Sequence, residues 1–156
     1  MRMIAIAVTT AVLNIPIAAQ PAADRDAVLK TVQAFFDAMT AKDIVASRAI
    51  LMPQARFHAM RTRDGEMFSV STEEYLAILQ SSKQTMRERI WNPEVRMQAL
   101  IAAVWAPYDF WYDAKLDHCG TDAFDLIKTR EGWRIAGGTY TIEDKCEPSP
   151  LGPLKQ

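Results

Sequence analysis

The sequence predicts an α+β fold, a cone-shaped and strongly bent antiparallel sheet with about three N-terminal helices packed on its concave face. Three observations lead there. The stretch from Val95 to Ile142 reads as three long strands separated by the turn signals Asp113-Ala114 and Glu131-Gly132. Ahead of it, Val28, Val32, Phe35, Phe36 and Met39 recur at helical spacing and form one apolar stripe. At 156 residues and 49% hydrophobic content, the chain suffices for one domain with a real core and is too short for two.

Taken in order, residues 1–20 carry the marks of a secretory signal peptide: a charged start at Arg2, an apolar run from Ile4 to Leu13 and a small-residue exit near Ala19. The run is too short to span a bilayer, so the expectation is a cleaved leader and a periplasmic or secreted protein with no membrane partner. Residues 24–146 form the predicted cone domain. Asp24 to Lys42 is its first helix, and Asp43 to Met52 a short second one ended by Pro53. Ala55 to Met60 and Glu66 to Val70 are strands around an Asp64-Gly65 turn. Ser71 opens the third helix, because Glu74 stands three residues on and the two can satisfy each other's backbone donors. Polar sequence from Ser81 to Glu88 then leads into the sheet. Residues 147–156, rich in proline, cannot join a ladder and are expected to be extended or disordered.

Within the sheet, Pro107 should mark a bulge or bend, since it has no N–H to donate. Two-residue loops at both turns would place Asp109 opposite His118, Trp105 opposite Asp122, Asp122 opposite Thr141 and Cys119 opposite Asp144. One extra residue would move that assignment to the other face. In this register Cys146 is a same-face diagonal neighbour of Cys119, and a disulfide between them is geometrically allowed; two separate thiols are the alternative. An export compartment lets such a bond persist, and closing the loop would stabilise the fold by roughly 3 to 4 kcal/mol.

Composition narrows the function. A net charge of −1 leaves no basic excess for phosphates, so nucleic acid is not an expected partner. Two histidines and no cysteine pair at ligand spacing give no metal site. Phosphate-loop and dinucleotide fingerprints are absent, and no cofactor is expected.

The opening helix with Ala41-Lys42-Asp43, the segment Leu51-Met52-Pro53-Gln54-Ala55-Arg56-Phe57 and the stretch from Val104 to Ile135 resemble the nuclear transport factor 2-like superfamily. The similar branch groups SnoaL-like polyketide cyclases with putative lumazine-binding proteins. The resemblance spans about Asp24 to Cys146. It implies a cone with a ligand pocket between sheet and helices and frequent dimerisation through the outer sheet face. It transfers no catalytic set, because the superfamily hosts enzymes and binding modules alike.

The residues give three functional expectations. The first is an exported, homodimeric domain holding a small apolar organic molecule, with Trp105, Tyr108, His58, Tyr75 and Phe124 lining the pocket. The second is a cofactor-free acid/base enzyme of the isomerase, cyclase or dehydratase type. Its working groups would be His118, Asp109 and Asp122: a carboxylate beside an imidazole makes a general base, and a buried aspartate makes an acid with a raised pKa. His118 and Asp122 share a strand face about 13 Å apart, too far to bond directly. The third is a protein-interaction module with a self-filled pocket.

Overall fold

The computed structural model describes residues 19–154, so the predicted leader lies outside the described residues apart from its last positions. Three helices, α1 (Ala19–Ala41), α2 (Ile44–Ile50) and α3 (Thr72–Ser81), pack on one mixed sheet. Its strands are β1 (Leu51–Arg61), β2 (Met67–Ser71), β3 (Met86–Ile90), β4 (Glu94–Gln98), β5 (Ile101–Tyr112), β6 (Lys115–Thr129) and β7 (Gly132–Ile142). The order is β2-β1-β7-β6-β5-β3, with β4 also paired to β5. The expected α+β cone is thus present. It is not wholly antiparallel, because β1 runs parallel to β7.

The helices follow from their ends and stripes. Asp43 caps α2 by accepting from the Ala46 N–H, and Ser71 and Glu74 form the reciprocal capping box of α3. Val28, Val32, Phe35, Phe36 and Met39 are all buried, so the stripe read from α1 lies against the concave sheet face. There it meets Phe57, Phe124, Leu126 and Ile135 in one core.

Four details differ from the sequence reading. Pro53 lies within β1 rather than ending a helix. The polar stretch before the sheet contains β3. The long strand beginning at Val95 is two strands, β4 folding back on β5 with Gln98 opposite Ile101 and Ala99 at φ 51°. Pro107 does not interrupt β5. It faces the junction between β3 and β4, where its carbonyl accepts from Trp91 and no partner requires its missing N–H.

Both registers also shift. Tyr112 pairs with Lys115 and Trp111 with Leu116 as expected, but Phe110 then pairs with His118, leaving Asp117 as a bulge. Asp109 is therefore opposite Cys119 and not His118, and Asp122 is opposite Ala106 and not Trp105. The second turn is Arg130-Glu131, since Thr129 pairs with Gly132. With a further shift beyond Asp125, Asp122 meets Tyr140 rather than Thr141, and Cys119 bridges to Glu143 rather than Asp144. Cys119 and Cys146 are nonetheless disulfide-bonded, with Cα atoms 5.7 Å apart.

Residues 147–154 contain neither helix nor strand, but they are tied down. Arg89 donates to the Gly152 carbonyl at 2.8 Å and binds the Asp109 carboxylate through two nitrogens at 2.9 and 2.5 Å. The disulfide at β6 and Arg89 at β3 fasten this segment at two points on the outer sheet face.

Candidate functional site

Alternation along the strands decides which side chains reach the cone. On β5 the even-numbered residues face inward, and on β6 so do His118, Asp122, Phe124 and Leu126. On β3 the inward set is Met86, Glu88 and Ile90, matched to Tyr112, Phe110 and Tyr108. These faces and the helices enclose a cavity of about 390 Å³. Phe35, Met39, Phe57, Tyr75, Phe110 and Phe124 form apolar walls around Glu88 and Asp122, with His118 and Asp117 also on the lining. Rings are closely associated: Phe35 stacks on Phe57 at 5.7 Å and meets Phe124 edge-on at 6.0 Å. A shallow depression beside it, around Gln84, Asp113 and Lys115, shares Tyr112 and Asp117 with the cavity.

Glu88 and Asp122 are the chemical centre of this space. The bend of the sheet brings their carboxyl groups within hydrogen-bonding range across its concave face. Asp122 is only 4% exposed. Glu88 retains partial exposure because it lines the cavity. Among the described residues, no N–H or hydroxyl donates to either carboxyl, and Asp122 Oδ2 is buried without a partner. Burial raises the Asp122 carboxyl to about 7, with the bond from Glu88 acting in the opposite direction. Glu88 is pushed well above the usual carboxylate range by burial, then by the negative charge of Asp122, its bond to Asp122 and the charge of Asp109. At neutral pH the two carboxyls hold a proton between them, because two like charges at contact in a poorly solvated site do not both ionise.

Tyrosines surround the pair. The Tyr108 hydroxyl donates to the Thr141 carbonyl at 2.7 Å. Burial, then the charges of Glu88 and Asp122, hold the Tyr108 and Tyr140 phenols protonated above their ordinary range. Burial and Glu88 do the same to Tyr75, whose hydroxyl is buried near Ser47 without completing a hydrogen bond. Gly120 makes room at this point: a Cβ there would lie 2.1 Å from the Thr141 carbonyl oxygen.

The residues singled out from sequence divide into three groups. Asp122, His118, Tyr75 and Phe124 line the cavity. His118 Nδ1 is 2.8 Å from Asp117 rather than paired with Asp109, and its ring stacks on Phe110 at 4.8 Å. Tyr108 is inward-facing but lies behind the lining, buried against His118 and Tyr140. Asp109, Trp105 and His58 are turned away. Asp109 is 2% exposed beneath the tail and bound to Arg89. Trp105 is 57% exposed on the outer face, and His58 lies on the side of β1 opposite the inward-facing Phe57. In each case the odd or even position on the strand decides the side, and the Asp117 bulge is what separates Asp109 from His118.

Glu88 was missed because its segment reads as polar. Its signal was Met86 and Ile90 two residues to either side, an apolar period of two that carries a glutamate on its buried face.

Among the described residues there is no cluster of ligands able to hold a metal ion, and no helix is long and apolar enough to cross a membrane.

The family model described as Putative lumazine-binding matches residues 23–141. A comparison with curated proteins found no match. Among solved structures, an NTF2-like protein from Cytophaga hutchinsonii aligns with a TM-score of 0.65 at 18% identity, covering 76% of this chain and 97% of the other. A putative dehydratase of the NTF2-like family from Streptomyces avermitilis gives 0.63 at 14%, covering 78% and 97%. A putative aromatic ring hydroxylase from Novosphingobium aromaticivorans gives 0.64 at 16%, covering 78% and 90%. At these identities the structures speak to fold alone. With cone, cavity and family match in agreement, this chain belongs to the Putative lumazine-binding family and has the NTF2-like fold.

Proposed function

We propose that this protein binds a small, ring-containing and largely apolar molecule inside the cone. The supporting observation is the cavity itself: about 390 Å³ walled largely by aromatic side chains, with the buried Glu88 and Asp122 carboxyls at its centre. That combination suits a flat molecule whose body meets the rings and whose one polar end meets Glu88 and Asp122. Lumazine, the compound in the family's description, is a flat bicyclic ring with N–H donors for the pair but is polar around its whole rim, so it serves as a comparison compound rather than as the expected ligand. An open cavity of this size speaks against a pocket filled by its own side chains.

The test is a titration with N-phenylnaphthylamine, a neutral ring probe that fluoresces in apolar sites. The wild type should give a saturable rise in emission, competed by material co-purifying from the native host, with lumazine as the comparison. Val70→Trp, which fills the cavity from one wall, should abolish it in a folded protein. A folded wild type with no saturable signal would overturn the reading.

A second reading, cofactor-free acid/base chemistry on the bound molecule, is favoured by the elevation of the Asp122 carboxyl to about 7. It requires that the wild type exchange hydrogen into the native ligand in D₂O and that Asp122→Asn not do so.

We further propose that the mature protein is exported and dimeric. The disulfide fits an oxidising compartment, and Ile101, Trp105 and Ile127 expose apolar surface on the outer sheet face. N-terminal sequencing of protein from its host should begin near Ala19 or Gln20. Trp105→Glu should convert a dimer to a monomer in sedimentation without altering probe binding.

A further inference from the structure

We infer that the ligand of the cone is a cation: a small aromatic molecule carrying an amine, amidine or similarly protonated nitrogen, bound through its N–H groups to the Glu88–Asp122 pair. The inference rests on the proposed pocket and specifies what enters it.

Hydrogen bonding at the pair is unmet. Two carboxyl groups present four oxygens, and one shared proton satisfies one contact between them. No N–H or hydroxyl of the described residues donates to the rest, and Asp122 Oδ2 is buried without a partner. A buried acceptor left in this state is costly, so the matching donors belong to what the cavity holds.

Charge at the pair is likewise unbalanced. The one other buried carboxylate among the described residues has its counter-ion: Asp109 is bound by Arg89 on the outer face. The pair inside the cone has none, for no lysine or arginine is among the residues lining the cavity. His118 is engaged by Asp117. Other groups facing the pair are the protonated phenols of Tyr75, Tyr108 and Tyr140, and Asp109 acts on Glu88 through the sheet as a further negative charge. A cationic ligand supplies the missing countercharge, and a buried pair of opposite charges with good hydrogen bonds is the arrangement folded proteins tolerate.

The walls agree with this choice. Phe35, Phe57, Phe110 and Phe124 turn aromatic surface toward the cavity, and ring faces attract a desolvated cation. An anion would meet both the negative pair and these faces unfavourably.

Burial holds Asp122 near 7, so the site gains its negative charge as pH rises through that value. Affinity for a permanent cation should rise over the same interval, because binding then selects the ionised form.

Benzamidine, benzamide and benzoate share one shape and carry a positive, a neutral and a negative head group. Measured by displacement of N-phenylnaphthylamine from the wild type at about pH 8, benzamidine should bind at least about tenfold more tightly than benzamide, and benzoate should not compete. The preference should shrink at about pH 5.5. Asp122→Asn should lose the preference while still binding the neutral probe, which shows the cavity to be intact. Equal competition by benzoate and benzamidine in a wild type that binds the probe would overturn the cation assignment and leave the pocket standing. Retention of the full preference in Asp122→Asn would also overturn it. A wild type that binds neither probe nor competitor would overturn both.

Discussion

Glu88 and Asp122 come from strands that are not neighbours, yet their carboxyl groups meet across the concave face. β5 lies between the two strands and contributes Tyr108 and Phe110 to the same face. The bend of the sheet, which makes the cone, also makes this contact.

The pair should weaken the fold as pH rises. The folded Asp122 carboxyl is raised from 3.8 to about 7, so between these values the native state keeps a proton that the unfolded chain releases. Stability contributed by that proton is present below the unfolded value and is lost as pH rises through the folded one. Asp122→Asn should therefore be more stable than wild type at about pH 8 by roughly 2 to 3 kcal/mol, with the difference shrinking toward about pH 4. Denaturant unfolding across this range measures it.

On the outer face, Asp109 is the buried partner of Arg89, and Arg89 also holds the tail at Gly152 and lies 5.3 Å from the Trp111 ring. Asp109→Ala leaves the guanidinium without its carboxylate and should cost about 3 kcal/mol. The same variant should speed proteolysis within the tail and leave probe binding in the cone unchanged, since Asp109 points away from it.

Much of this could be read in the chain. The stripe of α1 and the Ser71–Glu74 capping box rest on local spacing, and spacing survives folding, whereas the Cys119–Cys146 bond was read from a strand register that is one residue off and still left the two cysteines near each other. Registers were less legible. The bulge at Asp117, past which the Phe110 and His118 rings stack, is marked by no turn residue, and it moved Asp109 away from His118. Trp105 and His58 were drawn into the expected site by their chemistry, although strand parity sends both outward. Glu88 was hidden by arginines on either side, whose polarity disguised a strand.

The disulfide closes a loop between residues 27 apart in sequence. Cys119→Ser with Cys146→Ser should lower stability by about 3 kcal/mol while the core keeps its fold. Thermal or denaturant unfolding of the variant against the oxidised wild type is the measurement, with probe binding as the check on the cavity.

Gly120 should tolerate no side chain. Its added Cβ would meet the Thr141 carbonyl oxygen at 2.1 Å, and that carbonyl is the acceptor of the Tyr108 hydroxyl. Gly120→Ala should cost roughly 2 to 4 kcal/mol through displaced backbone and a broken buried hydrogen bond. Gly65, with open space around it, gives the comparison: Gly65→Ala is strained only by its φ of 72° and should cost about 1 kcal/mol.

One proton shared in the cone governs the chemistry of the Glu88–Asp122 pair, and carboxyl ¹³C NMR across a pH titration observes it directly. With Glu88→Gln and Asp122→Asn used for assignment, the predicted result is one carboxyl titrating near 7 and its partner remaining protonated well beyond that. Both carboxyls titrating independently near the ordinary value of about 4 would show two solvated, unlinked acids and contradict the account.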